Sequence, residues 1–286
     1  MHDALRHLVL IHEHGTFTAA ARYAHLSQPA LTASIRRLEE QVGAALLHRG
    51  RSGARLTAAG EAFLPLARES LAALADGIRA VEQIEGLHAG EVRLGAGATA
   101  CSYLLPPALA RYRTAHPNIR YFLRESTSHD SLESLARGEL DLVIADEGVD
   151  PWFTDELILV AAPGTDTTDA PFVTLRRGAT TRALLDQYFP HANIVMELGS
   201  ISGMKGNVRA GIGMALVSRH AVVNDLRERR LVRVRDTRTP CLRPLFLAHR
   251  GVDRLPPAVA ALRDVLLSSA ATRHLRRRRR VSSKDR

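Results

Sequence analysis

Ser27, Pro29 and Gly43 frame the stretch that restricts this chain most. A serine hydroxyl can accept a first-turn N–H, a proline is tolerated at a helix start, and a glycine adopts the left-handed stop. Together they predict a helix capped by Ser27 and running to about Val42. Inside it Leu31, Ile35, Leu38 and Val42 recur at four- and three-residue steps and form one apolar stripe. Two shorter helices precede it. Leu5, Leu8, Val9 and His12 sit at helical spacing up to Gly15, and Thr16 or Thr18 can cap a helix over 18–24 that is rich in small residues. His25-Leu26-Ser27 is a short turn. Beyond Gly43, apolar runs at 45–47 and 54–56 flank Arg49-Gly50-Arg51-Ser52-Gly53, a basic, turn-rich hairpin.

Two helices across a short turn with a hairpin behind them make a winged helix-turn-helix. Such a module lays its second helix in the major groove of double-stranded DNA, with the N-terminal residues at base edges. Here those residues are Ser27, Gln28, Pro29, Ala30 and Thr32, with Arg36 or Arg37 one turn on. A glutamine amide can bond adenine bidentately, and threonine or alanine can touch a thymine methyl. Ser27 and the first-turn N–H groups suit a phosphate, and Thr16 and Thr18 stand at the start of the neighbouring helix. Arg49, Arg51 and Arg55 on the hairpin would track phosphates or the minor groove.

Residues 57–85 read as one long helix. Leu64, Ala67, Leu71, Leu74, Ile78 and Val81 alternate steps of three and four, a heptad seam that wants a partner helix. Pro65, early in this helix, should kink or strain it. A hinge follows at 86–90. The pattern then changes to strands at 91–96, 119–125, 141–145, 156–161, 194–197, 214–217 and 244–249. Helices fit 103–116, 128–137, 180–188, 203–210, 219–228 and 257–269. Strand–helix alternation points to α/β sheets with helices on both faces.

Residues 15–60 closely resemble the N-terminal domain of LysR-type transcriptional regulators. The resemblance rests on Gly15, Phe17-Thr18, Ala20-Ala21, Ser27-Gln28-Pro29-Ala30-Leu31, Ile35, Leu38-Glu39, Gly43, Arg49 and Leu56-Thr57-Ala59-Gly60. Leu47 stands where a phenylalanine is usual, and the hairpin arginine sits at Arg51 rather than one residue later. The likeness continues more loosely to residue 269. It runs through Leu104 to Leu109, Gly138 to Leu142, Asp155-Glu156-Leu157, Glu197 to Ser200 with Lys205, and Gly211 to Leu216. It implies an α/β fold like that of periplasmic solute-binding proteins, with two subdomains, 91–160 with 250–269 and 161–249, around a small-molecule cleft. The domain expectation is then 1–58 for DNA binding, 59–90 for the linker helix and hinge, 91–269 for effector binding and 270–286 for a basic tail without fixed structure. Family membership also implies a homodimer through the long helix, assembled into a tetramer, that binds promoter DNA and is modulated by an effector.

Strand ends and helix N-termini present free N–H groups and short hydroxyls, which favour an anionic effector. The candidates are Thr99, Cys101 and Ser102 after the first strand, Ser126 and Thr127 after the second, Thr180, Thr181 and Arg182 at one helix start, and Ser200 and Ser202 before another. Between Ala145 and Phe172 the chain is shorter than the family pattern by roughly a couple of dozen residues, which would narrow the cleft or else alter or remove the effector site.

Other signals carry less. The net charge of +9 is mostly a property of residues 271–286, which hold eight of the Lys and Arg residues against Asp285 alone. That tail could add nonspecific, salt-sensitive DNA affinity. Gly95 to Ala100 imitates a dinucleotide fingerprint, but Pro106-Pro107 delay the helix and an acidic residue comes only at Glu125. Ser202-Gly203-Met204-Lys205 matches a Ser-x-x-Lys motif without its companions. His7, His12 and His14 lack metal-ligand spacing, and Cys101 reads as a small buried residue rather than a redox sensor. No cofactor, metal site or catalytic constellation is expected. No run reaches the roughly 18 apolar residues of a membrane span, and the start lacks a signal peptide's apolar run. Two cysteines fit a reducing compartment, so the expectation is a cytoplasmic protein. The rival readings are a solute-binding protein or a Rossmann-like enzyme using only the C-terminal half.

Overall fold

Helix signals at the N-terminus act locally and in sequence order. The computed structural model describes residues 1–50, 53–84 and 90–268. α1 (His2–His14) ends on Gly15 at φ 70, and α2 (Phe17–Tyr23) starts on Thr16, whose side chain accepts the Ala19 N–H. α3 (Gln28–Val42) starts on Ser27 and ends on Gly43 at φ 77. Leu8, Ile11, Leu31, Ile35, Leu38 and Leu46 are wholly buried and knit the three helices into one core. Two expected core positions fall outside it: Val42, the last residue of α3, and His12 are exposed, and Ile11 takes the place expected of His12.

β1 (Leu47–Gly50) and β2 (Gly53–Leu56) pair antiparallel as the wing. The wing is held at three points. Glu39 Oε1 accepts the N–H groups of Leu46 (2.8 Å) and Leu47 (3.2 Å). Ala54 N–H donates to the Gly15 carbonyl (2.8 Å). Gly60 lies so close to the Leu46 carbonyl that a Cβ there would overlap the oxygen.

α4 (Ala58–Ile84) is the long helix, with Pro65 inside it and Thr57 Oγ1 accepting the Gly60 N–H at its start. Its seam divides. Leu64, Ala67 and Leu71 pack into the core of α1–α3, whereas Leu74, Ile78 and Val81 are 48–59% exposed and Leu66 is 62% exposed. The first half of the expected pairing seam is therefore spent within the chain, because the small bundle needs a fourth helix to close it. The expected hinge at 86–90 lies outside the described residues except Gly90, as does the tail 270–286.

The chain divides into two units, Met1–Leu87 with Ala136–Glu139 and His88–Leu135 with Leu140–Arg286. In the second, β3 (Glu91–Ala96) pairs in parallel with β4 (Arg120–Glu125) and β5 (Leu142–Ala145). β3 leads into a π-helical turn (Ala100–Leu104) and then α5 (Pro106–Ala115), whose prolines occupy its first turn. α6 (Ser128–Ala136) follows β4. β6 (Asp150–Ala161) is twice the expected length. Pro151 and two aspartates disguise its first half in the sequence, but pairing with a partner strand over Asp150–Leu157 outweighs that poor propensity.

β7 (Phe172–Leu175) was not expected; it is buried throughout and runs parallel to β8 (Ile194–Leu198), with α7 (Thr180–Tyr188) between them. α8 (Ile201–Arg209), β9 (Ala215–Ser218), α9 (Arg219–Arg227) and the short β10 (Val232–Arg233) complete the second lobe. β11 (Cys241–Ala248) returns antiparallel to β6 and β5, and residues 257–268 form α10 on the first lobe. β6 and β11 thread both lobes. Trp152 and Leu245 belong to the first lobe's core, and Leu157 and Cys241 to the second's, so the change of lobe falls a few residues before the expected 160 and 249.

Candidate nucleic-acid interface and ligand cleft

The face of α3 opposite its buried stripe carries the candidate DNA contacts. Ser27 Oγ accepts the Ala30 N–H (3.3 Å), and the Thr18 hydroxyl donates to Gln28 Oε1 (3.4 Å), tying the start of α2 to the head of α3. Thr16, Thr18, Ser27, Gln28 and Pro29 are exposed, as are Arg36 and Arg37 two turns on. Thr32 is half-buried. On the wing, Arg49 pairs in register with Ala54 and Arg55 is exposed, while Arg51 lies outside the described residues. Glu39, accepting its two backbone N–H groups, fixes the wing against α3. His7 and His14 have protein partners: His7 Nδ1 lies 2.8 Å from Ser34 Oγ, and His14 stacks on Tyr23 at 3.7 Å.

In the second unit the ends of β3, β4, β7 and β8 and one stretch of β11 border a cleft of about 200 Å³. Thr99, Glu125, Ser126, Thr127 and Asp130 supply polar groups of the first-lobe wall. Arg176, Gly178, Thr180 and Thr181 stand on the second, with Arg243 and Leu245 rising from β11. Arg243 is 6% exposed. Its guanidinium donates to Thr181 Oγ1 (3.0 Å) and to Asp155 Oδ2 (2.6 Å), and the Ser218 hydroxyl donates to Asp155 Oδ1 (2.8 Å). The Nε–H of Arg243 has no partner among the described residues. The helix starts on the two walls differ. Thr127 Oγ1 accepts the Asp130 N–H (3.2 Å) and donates to the Asp130 carboxylate (2.8 Å), a side-chain cap on α6. α7 starts on Ala179, which offers no side-chain cap.

Residues 2–61 match the family profile described as "Bacterial regulatory helix-turn-helix protein, lysR family", and residues 85–271 match "LysR substrate binding domain". The chain belongs to the LysR family of transcriptional regulators. A probable RuBisCO transcriptional regulator of Cyanidioschyzon merolae is 32% identical over 260 residues, covering 81% of this chain and 85% of the relative. The RuBisCO operon transcriptional regulator of Allochromatium vinosum is 28% identical over 303 residues, covering 96% of this chain and 99% of the relative. That alignment is longer than this 286-residue chain, so the relative carries positions that this LysR-family protein lacks. Among solved structures, full-length LysG of Corynebacterium glutamicum with bound effector Arg shares the fold. Its TM-score is 0.61 at 20% identity, covering 95% of this chain and 98% of that one.

Half of the cleft residues expected for this LysR-family chain line the cleft and half do not. Thr99, Ser126, Thr127, Thr180 and Thr181 line it. Cys101 and Ser102 do not, because the π-helical turn begins at Ala100 and carries them off the loop on which they were expected. The Cys101 thiol donates to the Ala96 carbonyl (3.3 Å). Burial, reinforced by the Glu125 carboxylate, pushes that thiol up to about 12, which leaves no reactive thiolate at neutral pH. Arg182 is buried between Glu197 and Asp186, and those carboxylates, Glu197 foremost, raise its pKa further. Ser200 caps α8 through the Gly203 N–H, and Ser202 is exposed outside the cleft. Sequence reading missed Arg176, Arg243, Glu125 and Asp130. Arg176 precedes Gly178 at the end of a strand that was itself missed, and nothing in the local pattern marks Arg243. Among the described residues no cluster of His, Cys, Asp and Glu could hold a metal, and no helix is long and apolar enough to cross a membrane.

Proposed function

We propose that this protein binds promoter DNA sequence-specifically through α3, with the wing on the backbone, and that a small molecule in the cleft of the second unit modulates that binding. The supporting observation is the exposed face of α3. Ser27 caps it, and Gln28, Arg36 and Arg37 point away from the Leu31–Ile35–Leu38 stripe, the arrangement that major-groove reading requires. Gln28 reads a base edge with Thr32 beside it, while Thr16, Thr18, Ser27 and the arginines Arg49, Arg51 and Arg55 hold phosphates. Two chains pair along the exposed Leu74, Ile78 and Val81 of α4, which gives two recognition helices for a pseudo-palindromic site, and pairs assemble into tetramers. The effector acts by shifting the population of two DNA-bending arrangements rather than by simple release. The protein works in the cytoplasm as a regulator without catalysis.

A gel-shift titration against the promoter next to the protein's own gene tests the reading. Gln28→Ala should weaken specific binding by about 1–3 kcal/mol while nonspecific binding is retained. Full retention of specificity would remove Gln28 from base reading, and the absence of any discrete complex would overturn the function.

A further inference from the structure

The geometry points to a zwitterion as the ligand of the cleft: a small molecule with a carboxylate at one end and an ammonium at the other. The inference rests on reading the cleft as an effector site. Both walls present a helix N-terminus, and a purely anionic ligand would be served by both. The two starts are chemically opposite, however. α6 closes its own N-terminus with Thr127 and carries Asp130 in its first turn, and Glu125 borders the cleft just before it. That wall has the Asp130 N–H taken by the Thr127 hydroxyl and adds two carboxylates. α7 leaves its first N–H groups without a side-chain cap, and Thr180, Thr181 and Arg176 surround them. Beneath lies Arg243, buried, with an Nε–H that has no partner among the described residues and a guanidinium that touches Thr181. An uncapped helix start beside two arginines takes a carboxylate. The facing carboxylates repel a second negative group and attract a positive one. The walls come close: a Cβ at Gly178 would lie 3.6 Å from the Thr127 methyl. With a volume near 200 Å³, the cleft is below the roughly 300–1,000 Å³ of drug-sized pockets, so both charges sit on one small skeleton.

The test uses full-length protein and matched panels of aliphatic amino acids, the carboxylic acids that lack the amine, and the amines that lack the acid. Binding is followed by calorimetry at equal ionic strength. A member of the amino-acid panel should bind at least roughly tenfold more tightly than its acid or amine counterpart. Glu125→Gln and Arg176→Gln, both at exposed positions, leave the fold intact. Glu125→Gln should weaken the zwitterion and strengthen the plain acid, whereas Arg176→Gln should weaken both. Equal binding of acid and amino acid, an unchanged ratio in Glu125→Gln, or no binding by any panel overturns the inference. A panel of phosphorylated sugars and dicarboxylates separates the two readings. Binding there alone leaves an effector cleft without a zwitterion. Silence in every panel, with the DNA complex intact, removes the effector reading as well.

Discussion

The first unit presents its candidate contacts from one stretch of sequence, Thr16 to Arg55. The second unit lines its cleft with short segments scattered from Gly97 to Leu245. The stabilising devices differ in the same way. In the first unit they are caps and close backbone approaches between neighbours in sequence, such as Ser27 with Ala30 and Thr57 with Gly60. In the second, Arg243 meets Thr181 and Asp155, 62 and 88 residues away. A surface made by local rules tolerates change at its outward face as long as its caps and glycines stay. A surface made by distant partners stands or falls with a few buried polar groups.

The largest expected effect lies in that buried group. Asp155→Ala strands the Arg243 guanidinium, and loss of one member of a buried pair costs about 3–5 kcal/mol. Chemical denaturation should show the α/β unit unfolding earlier while the helical unit keeps its midpoint. An equal fall in both transitions would dissolve the contrast between local and distant construction. Gly60→Ala probes the other side. The added Cβ must displace the Leu46 carbonyl that anchors the wing, an overpacking worth about 1–3 kcal/mol, and this time the helical unit alone should lose stability. Ser27→Ala removes the α3 cap. Loss of about 1 kcal/mol in stability is expected, together with weaker DNA binding at all sequences, and a change confined to one operator position would instead make Ser27 a base reader.

The smallest effect is a pH dependence. Burial holds His7 below its usual pKa of 6.5, against the opposing pull of Asp3. The folded state therefore favours the neutral ring. Its contribution is present above about pH 6.5 and is lost as pH falls through that value towards the lowered folded-state pKa. Acidification should weaken the helical unit, and His7→Gln should flatten that slope. A slope unaltered by the substitution would assign the acid sensitivity to another group.

Legibility followed the same divide. Thr16, Ser27, Gly15 and Gly43 act where their sequence positions said they would, because capping and left-handed stops depend on atoms within a few residues. The seam of α4 was legible as apolar spacing. Its division into an inward half at Leu64 and Ala67 and an outward half at Leu74 and Ile78 was not, since periodicity cannot say which neighbour covers a face. In the α/β unit, Thr180 and Thr181 were found because they open a helix after a turn. Arg182, one residue on, was misplaced because helical rotation turns it to Glu197 and Asp186.

The sequence alone determined the two-part plan, the winged helix-turn-helix with its exposed Gln28 and arginines, and the alternation of strands and helices behind it. Each of these rests on short-range chemistry: a cap, a left-handed glycine, a repeating apolar step. Only the tertiary structure decided that β6 and β11 thread both lobes, that Arg243 and Arg176 share a wall with an uncapped helix, and that Glu125 and Asp130 face them. Those choices depend on which distant segments pair, and pairing energy between strands far apart in the chain leaves no local trace in the residues that supply it.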